Sequence, residues 1–189
     1  MGKINPKIEL KPDGTGFSSG VNYYFYTQSL QNPLLYQQIL SNAKTQIDIW
    51  DPYYNKDAAH VFDQIEQENI TINILTHSYR NQYETDRDIK EFKDEIKSVL
   101  SKRIDHFHIN IKCNYKNSGA IAWHDRYLII DNHDAYLVGT SIEEQIRSTK
   151  SFGIYQITEE EDRDLIIASK TNCFNSCNAQ NSMTTSCDK

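Results

Sequence analysis

The chain has 189 residues and a formal net charge of −6, with 38% hydrophobic and 24% charged residues. This length and composition are typical of one globular domain, and the net negative charge argues against a broad basic surface for nonspecific nucleic-acid binding. No apolar run approaches the ~20 residues of a bilayer-spanning helix, and residues 1–16 lack the apolar core of a signal peptide. We therefore expect a cytoplasmic protein without a transmembrane segment.

Composition divides the chain into three regions. Residues 1–20 are rich in Gly, Pro, Lys and Ser and are expected to form an N-terminal arm. Residues 21–175 are expected to form the domain, and residues 176–189 a polar, disordered C-terminal tail. Cys173, Cys177 and Cys187 lie in the last 17 residues, with no histidine nearby to complete a zinc site, so we expect no bound metal.

Hydrophobic periodicity predicts strands that alternate with helices. Alternating or β-branched runs predict strands at 21–27, 46–50, 70–76, 106–112, 124–131, 135–139 and 152–157. Apolar residues at helical spacing predict helices at 32–44, 58–69, 82–104, 142–147 and 159–174. This order indicates an α/β fold with helices packed on the faces of one sheet. Because only residues 132–134 separate two of the strands, we expect a hairpin there and hence a mixed sheet.

The stretch "HDRYLIID" at 124–131 is where chemistry is expected. Side chains alternate along a strand, so His124 and Arg126 share one face, while Asp125 and Tyr127 point away. Two groups that can both be positive are stable together if an anion joins them. A phosphate diester fits, because arginine offers a fork of donors to its oxygens and histidine can act as nucleophile, acid or base near neutral pH.

The arrangement H-x-R-x4-D, followed by "GTS" at 139–141, resembles the signature of the phospholipase D superfamily, which is His-x-Lys-x4-Asp with a glycine–serine turn behind it. His124 stands at the family's histidine, Arg126 at its lysine and Asp131 at its aspartate. The stretches "IDIWDPYYNKDAAHVFDQI" and "ITINILT" also resemble the superfamily's strand–helix–strand lead-in. The resemblance covers about residues 30–175 and implies a phospholipase D-like mixed β-sheet flanked by helices on both faces.

This resemblance implies a metal-independent phosphodiesterase that needs no cofactor. In the superfamily one histidine attacks phosphorus to form a phosphohistidine, and a second histidine, from another copy of the motif, protonates the leaving oxygen. The present chain holds one copy, so activity implies a homodimer in which two motifs meet across a two-fold axis. Short single-motif members of the superfamily are nucleases built that way. Nucleic acid is therefore the expected substrate, with phospholipid as another possibility.

Three departures from the family pattern favour a different interpretation. Arginine replaces the family's lysine, Glu143 stands where the family has asparagine, and the family's acidic residue on the next strand falls on Ser151 or Phe152. Arg126 could also be an ion-pair partner of Asp125 or Glu143. The alternative function is a catalytically silent module of the same fold that binds a phosphorylated ligand, such as a lipid headgroup or nucleic acid, or a protein partner.

The remaining candidate residues have competing structural roles. Asp131 is predicted to hold the hairpin through backbone hydrogen bonds. Ser141, with Thr140, either gives a hydroxyl to phosphate or caps the following helix. A tyrosine of "DPYY", such as Tyr53, either stacks on a base or packs in a turn. His77 follows a predicted strand end and could face the same cleft.

Overall fold

The computed structural model describes residues 8–10, 16–18, 23–26, 36–37, 39–54, 56–76, 86–113, 125–139, 141, 152–176 and 182–187. The strands in these ranges are β1 (Ile8–Leu10), β2 (Gly16–Ser18), β3 (Tyr23–Tyr26), β4 (Gln46–Trp50), β5 (Ile70–Thr76), β6 (Phe107–Cys113), β7 (Arg126–Ile130), β8 (Asp134–Val138), β9 (Phe152–Ile157) and β10 (Ser182–Cys187). The helices are a 3-10 helix (Lys56–Gln64), α1 (Asp86–Leu100) and α2 (Glu160–Ser176), and residues 36–37 and 39–40 are also helical.

Eight strands form one mixed sheet in the order β10-β6-β5-β4-β7-β8-β9-β3. The neighbours β4, β5 and β6 run parallel, whereas β7, β8, β9 and β3 continue the sheet in antiparallel pairs and β10 closes the other side. The antiparallel β4–β7 pair joins the two halves. This confirms the mixed sheet predicted from the short link between β7 and β8.

Helices cover both faces of the sheet, as predicted. Alternation along the strands sends Ile49 and Leu128 into a first core, which also contains Phe62 of the 3-10 helix and Phe92 of α1. The opposite face carries a smaller core around Trp50, Leu75, Ile129 and Ala135, against which Phe174 of α2 packs. The rings of Trp50 and Phe174 meet edge to face with centroids 5.6 Å apart. Each large side chain fully buried in this way stabilises the fold by about 1.5–3 kcal/mol.

The segment after β4, where a helix is predicted at 58–69, is a 3-10 helix over Lys56–Gln64. Its buried residues recur every three positions, at Ala58 and Val61 and again at Ala59, Phe62 and Ile65. Ala58, Val61, Phe62 and Ile65 would also share one face of an α-helix, so this apolar pattern predicts a helix without distinguishing the two helix types.

Both ends of the chain contain strands that composition did not predict. Ser182–Cys187 forms β10 on the free side of β6, which differs from the disorder expected for residues 176–189. In the predicted arm, β1 and β2 form a separate two-stranded sheet. An outer strand such as β6 offers unpaired backbone groups to any extended segment, whatever its side chains, so composition alone misses this pairing. The predicted helix at 142–147 lies outside the described residues.

Within the described part of the chain, no helix is long and apolar enough to cross a membrane.

Candidate functional site

The candidate site lies at one end of the sheet, where β4 ends and β7 begins. Trp50 pairs with Tyr127, so Asp51 follows at the position beside Arg126. Arg126 also pairs with Val138, the last residue of β8, which leads into Gly139. Three adjacent strands therefore bring their termini together, and we call this region the upper end of the sheet, defined by Asp51, Arg126 and Gly139.

Arg126 has a guanidinium that lacks the hydrogen bonds expected of a buried cation. Its side chain is only 20% exposed, and its Nε is 3.6 Å from Oδ1 of Asp51. That Nε is buried without a hydrogen-bond partner among the described residues. A guanidinium carries five donors, and a buried donor without an acceptor costs about 1–3 kcal/mol. Because Asp51 lies on the Nε side, an anion would meet the guanidinium at its terminal amino groups, which carry the other four donors.

The described residues of the motif strand alternate as predicted, although His124 lies outside them. Tyr127 points to the second face, where it packs against the smaller core, whereas Arg126 lies on the side of Leu128. The Lys170 amine lies 4.6 Å from the centre of the Tyr127 ring. Burial and the nearby Asp125 raise the pKa of the Tyr127 phenol, so it stays protonated at neutral pH. Arg126 is therefore oriented away from α2.

Ser141 is the second unpartnered donor near the upper end. Gly139 donates its N–H to the Gly153 carbonyl at 2.9 Å, which fixes the chain as it leaves β8. Ser141 follows two residues later, within about 7 Å along the chain. It is 3% exposed, and its Oγ has no hydrogen-bond partner in the part of the chain that the structure describes. The hydroxyl remains available to a ligand oxygen or to the following segment.

The two tyrosines of "DPYY" have different surroundings. The Tyr53 ring is half-buried, and Cζ of Arg126 is 5.2 Å from its centre, within the range of a cation–π contact. Tyr54 is fully buried, donates its hydroxyl to the Ala58 carbonyl at 3.2 Å and packs against Phe92. Tyr53 thus belongs to the site, and Tyr54 belongs to the core.

Several predicted residues fall outside the described residues. They are the candidates His124, Thr140 and His77, together with Glu143 and Ser151 from the family comparison. His124 precedes the described Asp125 directly, and His77 directly follows β5. Their proposed roles stay predictions.

Asp131 lies at the opposite end of β7, about 16 Å along the strand from Arg126. Its Oδ1 accepts hydrogen bonds from the backbone N–H groups of Thr45 and Gln46 at 2.7 and 2.9 Å, and Oδ2 accepts one from Lys44 at 2.9 Å. Partial burial raises the pKa of this carboxyl, but these hydrogen bonds outweigh burial and lower it. Asp131 fastens the turn before β4, rather than the hairpin strands as we expected. It does not reach the upper end.

Asp51 is a site residue that sequence reasoning missed. It is 1% exposed, and its Oδ1 accepts the Tyr53 N–H at 2.9 Å while facing Arg126. The proline after it suggested a simple turn. The signal that could have identified it is an acidic residue directly after a buried strand in an α/β sheet, where sites are commonly found.

A second buried carboxylate, Asp48, lies on the other face of β4. It accepts hydrogen bonds from Asn73 at 2.7 Å and Gln46 at 2.8 Å, and Asn110 in turn donates to Asn73 at 2.8 Å. Burial raises the pKa of Asp48, although the two amide hydrogen bonds oppose this. Because three adjacent strands place these residues in register, the network ties β4, β5 and β6 together.

Among the described residues, no group of three or more His, Cys, Asp or Glu side chains could hold a metal ion.

Comparison with known proteins shows the fold. No protein-family sequence model matches the chain, and no curated protein matches it in sequence. Among solved structures, it is similar to NucT from Helicobacter pylori (12% identity, TM-score 0.54, covering 83% of this chain and 98% of that chain). It is also similar to Nuc, a phospholipase D family member from Salmonella typhimurium (13% identity, TM-score 0.54, covering 88% and 97%). Phosphatidylserine synthase from Haemophilus influenzae Rd KW20 matches at 10% identity and a TM-score of 0.55, covering 93% of this chain but 44% of the synthase.

These likenesses agree with the architecture described above, a mixed α/β sheet with helices on both faces. The chain therefore has a phospholipase D-like fold, as its sequence predicted.

Proposed function

We propose that this chain is a metal-independent phosphodiesterase of the nuclease type that acts as a homodimer. The observation that carries the proposal is the Arg126 guanidinium, four-fifths buried at the end of a central strand, with its Nε 3.6 Å from the Asp51 carboxylate and not hydrogen-bonded to it. The unpartnered hydroxyl of Ser141 follows the neighbouring strand. Two such donors suit the non-bridging oxygens of a phosphate diester.

The size of the matching structures supports a nuclease-type chain over a lipid-processing enzyme. NucT and Nuc are matched over 98% and 97% of their lengths, so the present chain corresponds to each as a whole. It corresponds to 44% of the phosphatidylserine synthase. A chain of the short type carries one motif, and its second histidine then comes from another copy.

The proposed reaction proceeds in two displacements. In the first, an imidazole nitrogen of His124 attacks phosphorus, and an N–P bond forms as the bond to the leaving oxygen breaks. His124 of the partner subunit donates a proton to that oxygen. In the second displacement, the now neutral imidazole of the partner's His124 takes a proton from water. The water oxygen attacks phosphorus, and the N–P bond to the first His124 breaks. Arg126 balances the charge on the phosphoryl oxygens in both steps.

One histidine must begin neutral and the other protonated for this sequence to start. Two identical groups in a shared site titrate as a pair, and their mutual repulsion separates the two apparent pKa values. A symmetric dimer can therefore supply the nucleophile and the acid from the same residue.

The test measures hydrolysis of bis(p-nitrophenyl) phosphate and of DNA in EDTA, with the oligomeric state from sedimentation. We expect a dimer, activity that survives chelation, and losses of at least about 10²-fold for Arg126→Ala and His124→Ala. His133→Ala is the matched control, because His133 is exposed on the hairpin at the other end of β7. During turnover of radiolabelled substrate, acid-labile label is expected on His124.

Full activity in His124→Ala would disprove the mechanism. Binding of inorganic phosphate that depends on Arg126, with no hydrolysis of either substrate by wild type, would instead identify a silent phosphate-binding module.

A further inference from the structure

Asp51 and Arg126 form a buried pair of opposite charges at the upper end of the sheet. The Asp51 side chain is 2% exposed and that of Arg126 is 20% exposed, with 3.6 Å between Oδ1 and Nε. Buried pairs of this kind are strongly coupled, because removing one partner leaves the other charge unpaired in a poorly solvated place. The two residues therefore have to be considered as one unit.

Asp51 is itself held in place by the local backbone. Its Oδ1 accepts the N–H of Tyr53 at 2.9 Å, which closes the turn through Pro52. Its own N–H donates to the Leu75 carbonyl at 3.1 Å, so the turn is anchored to β5. The Tyr53 ring, positioned by the same turn, lies against the guanidinium carbon of Arg126. The Asp51 carboxylate is thus the charged neighbour of Arg126, and it also positions the aromatic neighbour, Tyr53.

We propose that Asp51 is a positioning residue that holds the Nε side of Arg126, so that the terminal amino groups of the guanidinium are presented to the phosphoryl oxygens. This inference rests on the proposed function and adds a residue to its site. The planar guanidinium has donors on several sides, so one side can face Asp51 while another binds an anion.

The pair gives a physical reason for arginine where the superfamily has lysine. A lysine ammonium is a compact point charge. Beside a buried carboxylate it would move toward Asp51 and away from a phosphate. Arginine can satisfy the carboxylate and the anion together, so Asp51 and Arg126 are expected to depend on each other.

This dependence is tested by a double-mutant cycle on Arg126→Lys, Asp51→Asn and the double variant, with kcat and KM measured for bis(p-nitrophenyl) phosphate. The Asp51→Asn substitution keeps an oxygen acceptor for the Tyr53 N–H while removing the charge. We expect Arg126→Lys alone to lose about 100-fold in kcat/KM. Adding Asp51→Asn should raise kcat/KM of the Arg126→Lys variant about tenfold, because no carboxylate then holds the lysine ammonium away from the phosphate.

Asp48→Asn in the Arg126→Lys background is the matched control. Asp48 is also a buried aspartate of the β4 region, but it lies on the other face and binds Gln46 and Asn73. Asp48→Asn is expected to restore none of the kcat/KM that Arg126→Lys loses. The positioning role would be overturned if the fold-changes in kcat/KM of Asp51→Asn and Arg126→Lys simply multiplied in the double variant. It would also be overturned if Asp48→Asn rescued kcat/KM equally.

A stability readout separates this inference from the proposed function. Melting temperatures are compared for Asp51→Asn, Arg126→Met and their combination, with the double variant expected to lose clearly less than the sum of the single losses. Additive losses would overturn the pairing even in an active enzyme. A wild-type protein that neither hydrolyses diesters nor binds inorganic phosphate would overturn the proposed function, whatever the melting temperatures show.

Discussion

Replacing Asp131 by alanine is expected to destabilise the fold while leaving the upper end of the sheet intact. The carboxylate accepts hydrogen bonds from the backbone N–H groups of Lys44, Thr45 and Gln46 and from the Thr45 hydroxyl. Hydrogen bonds to a charged group contribute about 1.5–3 kcal/mol when buried. Water replaces those of the exposed Lys44 and Thr45, so the part-buried Gln46 N–H dominates the loss.

Backbone conformation adds to this effect. Asp131 has φ of 54°, in the left-handed region that aspartate and asparagine tolerate better than alanine. Placing alanine in this left-handed conformation costs about 1 kcal/mol of backbone strain. The two contributions sum to about 3 kcal/mol, which corresponds to a fall in Tm of about 6–12 °C for a chain of this size.

Asn132→Ala is the matched control, because Asn132 has the same φ of 54° in the same hairpin. Its side-chain oxygen accepts one hydrogen bond, from Gln46 Nε2 at 3.2 Å. We expect a loss of about 1 kcal/mol in Asn132→Ala, mainly from the backbone. Equal destabilisation by Asp131→Ala and Asn132→Ala in thermal unfolding followed by circular dichroism would refute the assigned role of the carboxylate.

The pH dependence supplies a second check on the same residue. Burial raises the pKa of Asp131, but its hydrogen bonds lower that pKa by more than burial raises it. The folded-state pKa therefore lies below the unfolded value of about 4. A depressed carboxyl pKa contributes stability above the unfolded pKa, which is lost as pH falls through the folded value. The Tm advantage of wild type over Asp131→Asn should therefore shrink below about pH 4. An advantage that does not change with pH would contradict this account.

Two further predictions concern other parts of the fold. Burial raises the pKa of Asp48, so stability that is present below the unfolded pKa of about 4 is lost as pH rises through the higher folded-state value. The Tm of Asp48→Asn in thermal unfolding should therefore gain on that of wild type as pH rises above about 4, and a constant difference would contradict the burial argument. A Cβ on Gly139 would lie 3.1 Å from the Gly153 carbonyl oxygen, so Gly139→Ala should lose about 1 kcal/mol and raise KM by displacing Ser141, whereas unchanged Tm and KM would show that the strand end adapts freely.

Much of the fold could be predicted because strand and helix periodicities are local. The pattern of residues 152–157 predicted β9 with the bounds that the structure has, and β4 and β5 were equally well predicted. The edge strand β10 could not be predicted in this way, since its pairing depends on a partner strand far away in sequence. Asp48 illustrates the same limit, because the alternation in "QIDIW" gives no sign that Asn73 of the neighbouring strand would hydrogen-bond to it.

The candidate site was predicted only in part, for a related reason. Arg126 and Tyr53 were each identified from local sequence, but their contact depends on the pairing of β4 with β7. Asp51 was overlooked because an aspartate before proline is usual in turns. Its importance comes from the residue beside it on the neighbouring strand, and that neighbour cannot be read from residues 46–54.

The spacing of the motif has a structural origin that bears on how far it can indicate activity. Arg126 begins β7 and Asp131 directly follows it, so the four residues between them are the rest of one strand. The lower end, at Asp131, binds the turn before β4, and the upper end carries the guanidinium of Arg126 beside Asp51. A chain can therefore lose its chemistry at the upper end and still need Asp131 at the lower end for its fold. The spacing of the motif therefore reflects the length of β7 and does not by itself indicate activity.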